Sequence, residues 1–226
     1  MAAKVESPGN VLLMGHSIVL GASGPTYTGS LTLPGNVTYY DALNTGTIVA
    51  RAAWQSSADG SYEPGMLPRI AANWTQTLTL VRMATSGAAM GAVLNTQFIE
   101  VQRFYTVNGL PKPDALYLGI GENDAQNTTE ADLMRDQLRI FFERVHAWSP
   151  NTRIFLQQSV LDNVAVTYPE MDYVRTHQST VAGEFDYVYL VPRTGITTTS
   201  SSNPHWTLAG QDTGADSFVA SYAAAA

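Results

Sequence analysis

The chain has no cysteine, which removes disulfides, thiolate nucleophiles and cysteine-ligated zinc from consideration and leaves the redox compartment open. It is also poor in charge: 14% of its 226 residues are charged, and 12 basic against 19 acidic residues leave a formal net charge of -7. No cluster of Lys and Arg offers an electrostatic footprint for a phosphate backbone or an anionic membrane surface, so neither nucleic acid nor membrane is expected as a partner. No apolar run approaches the ~18 residues that span a bilayer. The opening MAAKVESPGN lacks the apolar core of a signal peptide. A soluble protein is expected, with cytoplasm, secretion after processing or a virion all open as locations; an oligomer is compatible but not legible.

Hydrophobic residues make up 45% of the chain, enough at this length for one domain over 1–226 with a sheet covered on both faces. Five short apolar or β-branched segments bounded by turn residues read as buried strands: Val11 to Met14, Leu78 to Met83, Ala115 to Ile120, Ile154 to Val160 and Tyr187 to Val191. The clearest helix opens at NTTEADL, where Thr128 or Thr129 can cap. It continues with Met134, Leu138, Phe141, Val145 and Trp148 at alternating steps of four and three, on one buried face. Further helices are expected over Met66 to Trp74, Thr96 to Phe104 and Met171 to Val181, and from about Thr207 or Gly214 onward. Alternating strands and helices predict an α/β fold with a mainly parallel, three-layered arrangement. Residues about 21–65, rich in Gly, Thr, Tyr and Asn, read as a long loop insertion walling a cleft, with room for a short hairpin. The tail 221–226 is expected to fray.

Four chain-distant strand ends offer one part each of an acyl-transfer site. VLLMGHS ends in Gly15-His16-Ser17, ATSGAAMG supplies Gly87, GIGEND supplies Asn123 and SNPHWTLAG supplies His205. A serine on a tight turn after a buried strand is well placed as a nucleophile, and a histidine can take its proton and return it to the leaving alcohol. The Ser17 and Gly87 backbone N–H groups and the Asn123 amide would form an oxyanion hole. His146 and His177 fall in expected helices without acidic clusters at ligand spacing, so structural roles are expected of them and no metal is implied. Gly119-x-Gly121 lacks the third glycine of a dinucleotide fingerprint. Asp124 is expected to tie down its own loop.

In content and order these blocks resemble the SGNH, or GDSL-like, hydrolase superfamily, with Ser17, Gly87, Asn123 and His205 at its four block positions. The resemblance spans Val11 to about Gly210. YEPGMLPRIAANW, ATSGAAMG and GEND look most like the branch of sialate O-acetylesterases and xylan acetylesterases. It implies a flavodoxin-like α/β/α sandwich on a mainly parallel five-stranded sheet, no cofactor, and hydrolysis of small acyl esters, commonly acetyl groups on sugars. The expected substrate is a small-molecule or carbohydrate ester. His16, Glu122 and Trp206 are expected to line the substrate cleft, and Tyr27, Tyr39, Tyr40, Tyr62, Trp54 and Trp206 are candidates to stack on a sugar.

Two positions depart from the pattern. The first block reads Gly-His-Ser where the superfamily has Gly-Asp-Ser or, in the carbohydrate branch, Gly-Gln-Ser. The Asp usually found three residues before the histidine is Ser202 here. A triad that loses this group drops about 10⁴-fold in rate, so either a Ser-His dyad operates or another group orients His205, with Ser202, Asn203, Asp212 and Asp216 as candidates. The missing acid also supports a competing expectation, a non-catalytic carbohydrate-binding or structural module, for example of a phage tail, with a decayed triad. A lipase or lysophospholipase of the same superfamily is a third reading, which the polar loop after the first strand disfavours.

Overall fold

The computed structural model describes residues 8–21, 27–57, 62–161 and 167–225. The chain opens with β1 (Asn10–Gly15) and a single helical turn, α1 (Ser17–Leu20), followed by the hairpin β2 (Val37–Asp41) and β3 (Val49–Arg51). Then come α2 (Leu67–Asn73), β4 (Leu78–Ala84) and α3 (Met90–Ala92), which continues through a π-helical turn, Val93–Gln97, into α4 (Phe98–Val107). The remainder is β5 (Ala115–Gly119), a 3₁₀ turn (Glu122–Asp124), α5 (Thr128–Trp148), β6 (Arg153–Gln157), α6 (Met171–Ala182), β7 (Val188–Val191), a hairpin of β8 (Thr198–Ser200) and β9 (Asn203–Trp206), and α7 (Leu208–Ala224).

Among the described residues, seven strands form the main sheet in the order β3-β2-β4-β1-β5-β6-β7, parallel throughout except for β3. The five strands legible in the sequence give the flavodoxin-like order, second-first-third-fourth-fifth. The expectation of five strands is corrected: residues about 21–65 contain the short hairpin for which the sequence left room, and it joins the main sheet, β2 pairing in parallel with β4 and β3 adding an antiparallel edge. Residues 22–26 and 58–61 of that segment lie outside the described residues.

Period-two alternation splits each central strand between two cores. Leu12 and Met14 of β1 pack with Val81, Met83, Leu116 and Leu118 beneath α4, α5 and α6. Val11 and Leu13 face the other way with Leu80 and Tyr117, under α1, α2 and α7. The α5 stripe is buried as expected at Met134, Leu138, Phe141 and Val145, but the cap is Asn127, whose side chain accepts from Glu130 N–H at 3.0 Å. Contrary to the expected fraying, Ser221 to Ala224 belong to α7, where Tyr222 packs on Trp74 and Phe155; residue 226 lies outside the described residues. Among the described residues, no helix is long and apolar enough to cross a membrane.

Candidate active site

In an open parallel sheet of this order, the crevice forms at the carboxyl ends of the strands where the winding direction reverses. Here that place is the boundary between β1 and β5, and the residues after both strands meet there. The backbone of Gly15 is gripped on both sides by the buried side chain of Gln97, which accepts from Gly15 N–H at 3.3 Å and donates to Gly15 O at 2.9 Å. Gln97 closes the π-helical turn, a local irregularity that often accompanies functional sites. Gly15 is required by geometry: at φ +143° a Cβ would lie 2.0 Å from Gly119 O. This close approach lets His16 N–H donate to Gly119 O at 3.2 Å, after which the chain turns directly into α1.

Ser17 is thereby the first residue of α1. Its Oγ lies 2.9 Å from His205 Nε2, between residues 188 positions apart. His205 arrives from β9, where its neighbours Pro204 and Trp206 are buried and the histidine itself is half-buried. Burial, and after it the nearby charge of His16, lower the His205 pKa below the ordinary histidine value, against an opposing pull from Glu122. The shift favours the neutral ring, the form able to accept a proton.

None of the expected orienting groups reaches the other ring nitrogen. Asn203 accepts from the His205 backbone N–H at 2.9 Å, Ser202 faces Ser200, and Asp216 is paired with Arg69. Asp212 is exposed on α7. His205 Nδ1 has no hydrogen-bond partner among the described residues.

Ser17 has a second imidazole beside it. His16 Nδ1 lies 3.3 Å from Ser17 Oγ, and its Nε2 is 2.7 Å from Glu122 Oε2. His16 is completely buried and Glu122 is 2% exposed, so the expectation that both line the cleft is corrected, as it is for Trp206, also 2% exposed. Trp206 fits instead against Gly214 of α7, where a Cβ would lie 2.3 Å from the indole. Burial alone would raise the Glu122 carboxyl. The hydrogen bond and charge of His16, with backbone N–H groups, bring it below its usual range.

The turn after β5 is laced to the turn after β4. Asn123 Nδ2 donates to Ala88 O at 3.0 Å, and Asp124 accepts from Met90 N–H at 3.0 Å. Asn123 thus keeps one N–H beyond that bond, at the carboxyl end of the strand beside β1. Gly87 is exposed in the left-handed conformation at the end of β4, the strand on the other side of β1. Of the aromatic candidates, Tyr39, Trp54 and Trp206 are core residues, whereas Tyr27, Tyr40 and Tyr62 are half-buried. His146 stacks on Tyr187 and His177 packs against Tyr173.

No family model matches the chain, and no curated protein sequence does. Solved structures are similar over nearly its whole length. A protein from Arabidopsis thaliana superposes with a TM-score of 0.67 at 14% identity, covering 96% of this chain and 98% of that one. An acetylxylan esterase from Geobacillus stearothermophilus gives 0.61 at 16% identity, covering 97% and 96%. An extracellular lipase from Streptomyces rimosus gives 0.53 at 15% identity, covering 94% and 99%. At these identities the likeness establishes the fold alone, one shared with a solved esterase and a solved lipase.

Proposed function

We propose that the protein is a serine esterase acting on small acyl esters, acetyl groups on carbohydrate hydroxyls in particular, through an acyl-enzyme on Ser17. The observation that carries this reading is the 2.9 Å contact between Ser17 Oγ and His205 Nε2 at the sheet's switch point. As Oγ attacks the ester carbonyl, His205 Nε2 takes its proton and then delivers it to the leaving alcohol. Water repeats the sequence on the acyl-enzyme. The Ser17 and Gly87 N–H groups and the remaining Asn123 amide N–H are the donors for the oxyanion. Each step of this scheme is carried by the chain's own residues and water.

The acetyl and carbohydrate assignment draws on the likeness to an acetylxylan esterase and on the polar chain beside α1. Glu63 N–H donates to Leu20 O at 3.2 Å while the Glu63 carboxylate accepts from Tyr27 N–H at 3.3 Å, so a Tyr- and Thr-bearing segment borders the helix that holds Ser17.

The test is hydrolysis of p-nitrophenyl acetate, butyrate and octanoate by the intact protein, Ser17→Ala and His205→Ala. Acetate should be fastest, Ser17→Ala should fall to background, and His205→Ala should lose about 10²–10⁴-fold. Turnover unaffected by Ser17→Ala overturns the reading, and a preference for octanoate overturns its acetyl clause. The unpartnered His205 Nδ1 favours one competing reading, a non-catalytic glycan-binding module. That reading predicts background turnover by the intact protein with glycan binding retained.

A further inference from the structure

The scheme above leaves a buried histidine–carboxylate pair, His16 and Glu122, next to the nucleophile without a role. Removing a carboxylate from water is costly unless donors replace the lost hydration. Glu122 has such donors in His16 Nε2 at 2.7 Å and, more weakly, Val160 N–H at 3.4 Å. The short contact requires a proton on His16 Nε2.

The state of His16 Nδ1, 3.3 Å from Ser17 Oγ, follows from hydrogen-bond accounting. Ser17 Oγ–H offers one proton, and the role of His205 as base requires the tautomer that presents its Nε2 lone pair to that proton at 2.9 Å. Were His16 Nδ1 also a lone pair, two acceptors would compete for one proton and one would be left unpaired in a buried place. With a proton on Nδ1, both contacts of Ser17 Oγ are satisfied: it accepts from His16 and donates to His205. The opposite assignment of roles, with His16 as the base, fails on access. His16 is completely buried and cannot pass a proton to an alcohol or take one from water, whereas half-buried His205 can.

We propose that His16 is a second catalytic histidine, held as an imidazolium by Glu122, which donates Nδ1–H to Ser17 Oγ, aims the hydroxyl proton at His205 and stabilises the negative charge developing on Oγ. This rests on the Ser17 esterase reading. In the acylation step the Oγ proton moves to His205 Nε2, Oγ bonds to the carbonyl carbon, and the carbonyl π pair moves onto oxygen. His16 keeps both ring protons. The carboxylate missing near His205 thus has a counterpart on the other side of the serine.

The ionisable groups around the pair are few. His205 faces it from β9, Asp124 shares the turn of Glu122, and Tyr117 of β5 and Tyr168 feel the Glu122 charge. Burial holds the Tyr117 hydroxyl well above its usual range, so it stays neutral. The lowered His205 keeps the second imidazole uncharged beside the first.

Two measurements test the assignment. Ring ¹⁵N NMR of the wild-type protein at pH 7 should show both His16 nitrogens protonated and His205 neutral; a neutral His16 ring overturns the proposal whatever the activity. In kinetics, His16→Gln keeps an amide donor and should stay within about tenfold of wild type, while His16→Phe should lose about 10²–10³-fold, as when an oxyanion donor is removed. The alkaline limb of kcat/KM should shift to lower pH in Glu122→Gln and vanish in His16→Gln. Rates that fall in all three variants with the limb unmoved indicate a merely structural pair and overturn the proposal. If Ser17→Ala retains turnover, the esterase reading itself has failed; if Ser17→Ala is inactive and the His16 ring is neutral, this inference alone has failed.

Discussion

Arg82 lies in the middle of β4 with no exposed surface, and Asp41 at the end of β2 is equally buried. The guanidinium Nε is 3.1 Å from both Asp41 oxygens and Nη2 also contacts the carboxylate, while Nη1 donates to Glu63 O at 2.7 Å and Leu20 O at 3.2 Å. Tyr39 OH donates to the same carboxylate. Asp41→Asn leaves an arginine that cannot give up its proton without its counter-charge, and breaking a buried pair from one side costs about 3–5 kcal/mol. For a chain of this size each kcal/mol moves Tm by about 2–4 °C, so the melt should drop by roughly 6–20 °C. With a urea slope of about 2 kcal/mol/M, the midpoint should fall by roughly 1.5–2.5 M. Replacing both charges is far milder than exposing one, so Asp41→Asn/Arg82→Met should be more stable than Asp41→Asn alone. Urea denaturation of wild type, both single variants and the double variant closes the cycle. A Tm shift below about 2 °C for Asp41→Asn, or a double variant whose loss equals the sum of the singles, refutes the reasoning.

Three further outcomes are expected. His205 must be neutral to act as a base, and burial followed by the His16 charge lowers its pKa; the acid limb of kcat/KM should therefore lie below the ordinary histidine value of about 6.5, and a limb at or above it contradicts the site. Gly15→Ala should abolish folding or cost more than about 4 kcal/mol, because its Cβ meets the Gly119 carbonyl. Gly87→Ala, with φ +73° and nothing within 4 Å of the added carbon, should cost about 1–2 kcal/mol; equal shifts in thermal melts would refute this. Burial raises Asp124 from 3.8 to about 6, despite the Met90 N–H. The folded state then binds this proton more tightly than the unfolded chain, so the group's contribution to stability is lost as pH rises from 4 through 6. Asp124→Asn should gain about 2.5 kcal/mol at pH 8 relative to pH 4 in urea titrations, and an identical difference at both pH values rules this out.

The central strands were legible because each is a short apolar run closed by turn residues, and the observed β1, β4, β5, β6 and β7 sit within a few residues of the expected spans. The hairpin β2-β3 was legible only as room for a short hairpin and not as strands of the main sheet, because VTYYD lies in a Thr- and Asn-rich stretch and Val49 and Ala50 are exposed, leaving little contrast with a loop. Its pairing is decided by β4, which no local pattern encodes. Arg82 did carry a signal: an arginine within an otherwise apolar strand demands a buried partner, although nothing in the sequence points to Asp41. The block order brought Ser17 and His205 to attention, but the His16–Glu122 contact joins residues 106 positions apart. Neighbouring side chains ordinarily diverge in a tight turn, so adjacency to Ser17 carried no sign of it. Here the residue before the serine is the last extended one, with φ -109° and ψ -155°, before the helix begins. Its ring is directed back under the site toward the β5 turn.

How His205 is held without a carboxylate follows from the strand that carries it. In β9 burial alternates, with Pro204 and Trp206 inside and Asn203 and His205 half-exposed, so anchoring the indole against Gly214 sends the histidine to the opposite face. The backbone is secured on both sides of it: Asn203 accepts the His205 N–H at 2.9 Å, and Thr207 N–H donates to Thr197 O at 2.9 Å, where α7 begins under a Thr207 cap. Backbone anchoring can fix where a ring sits, but it supplies no negative charge to a ring that becomes an imidazolium. In this site the available carboxylate belongs to Glu122, on the far side of Ser17 and in contact with the other histidine. The nucleophile, placed between two imidazoles, is the point at which those two halves meet.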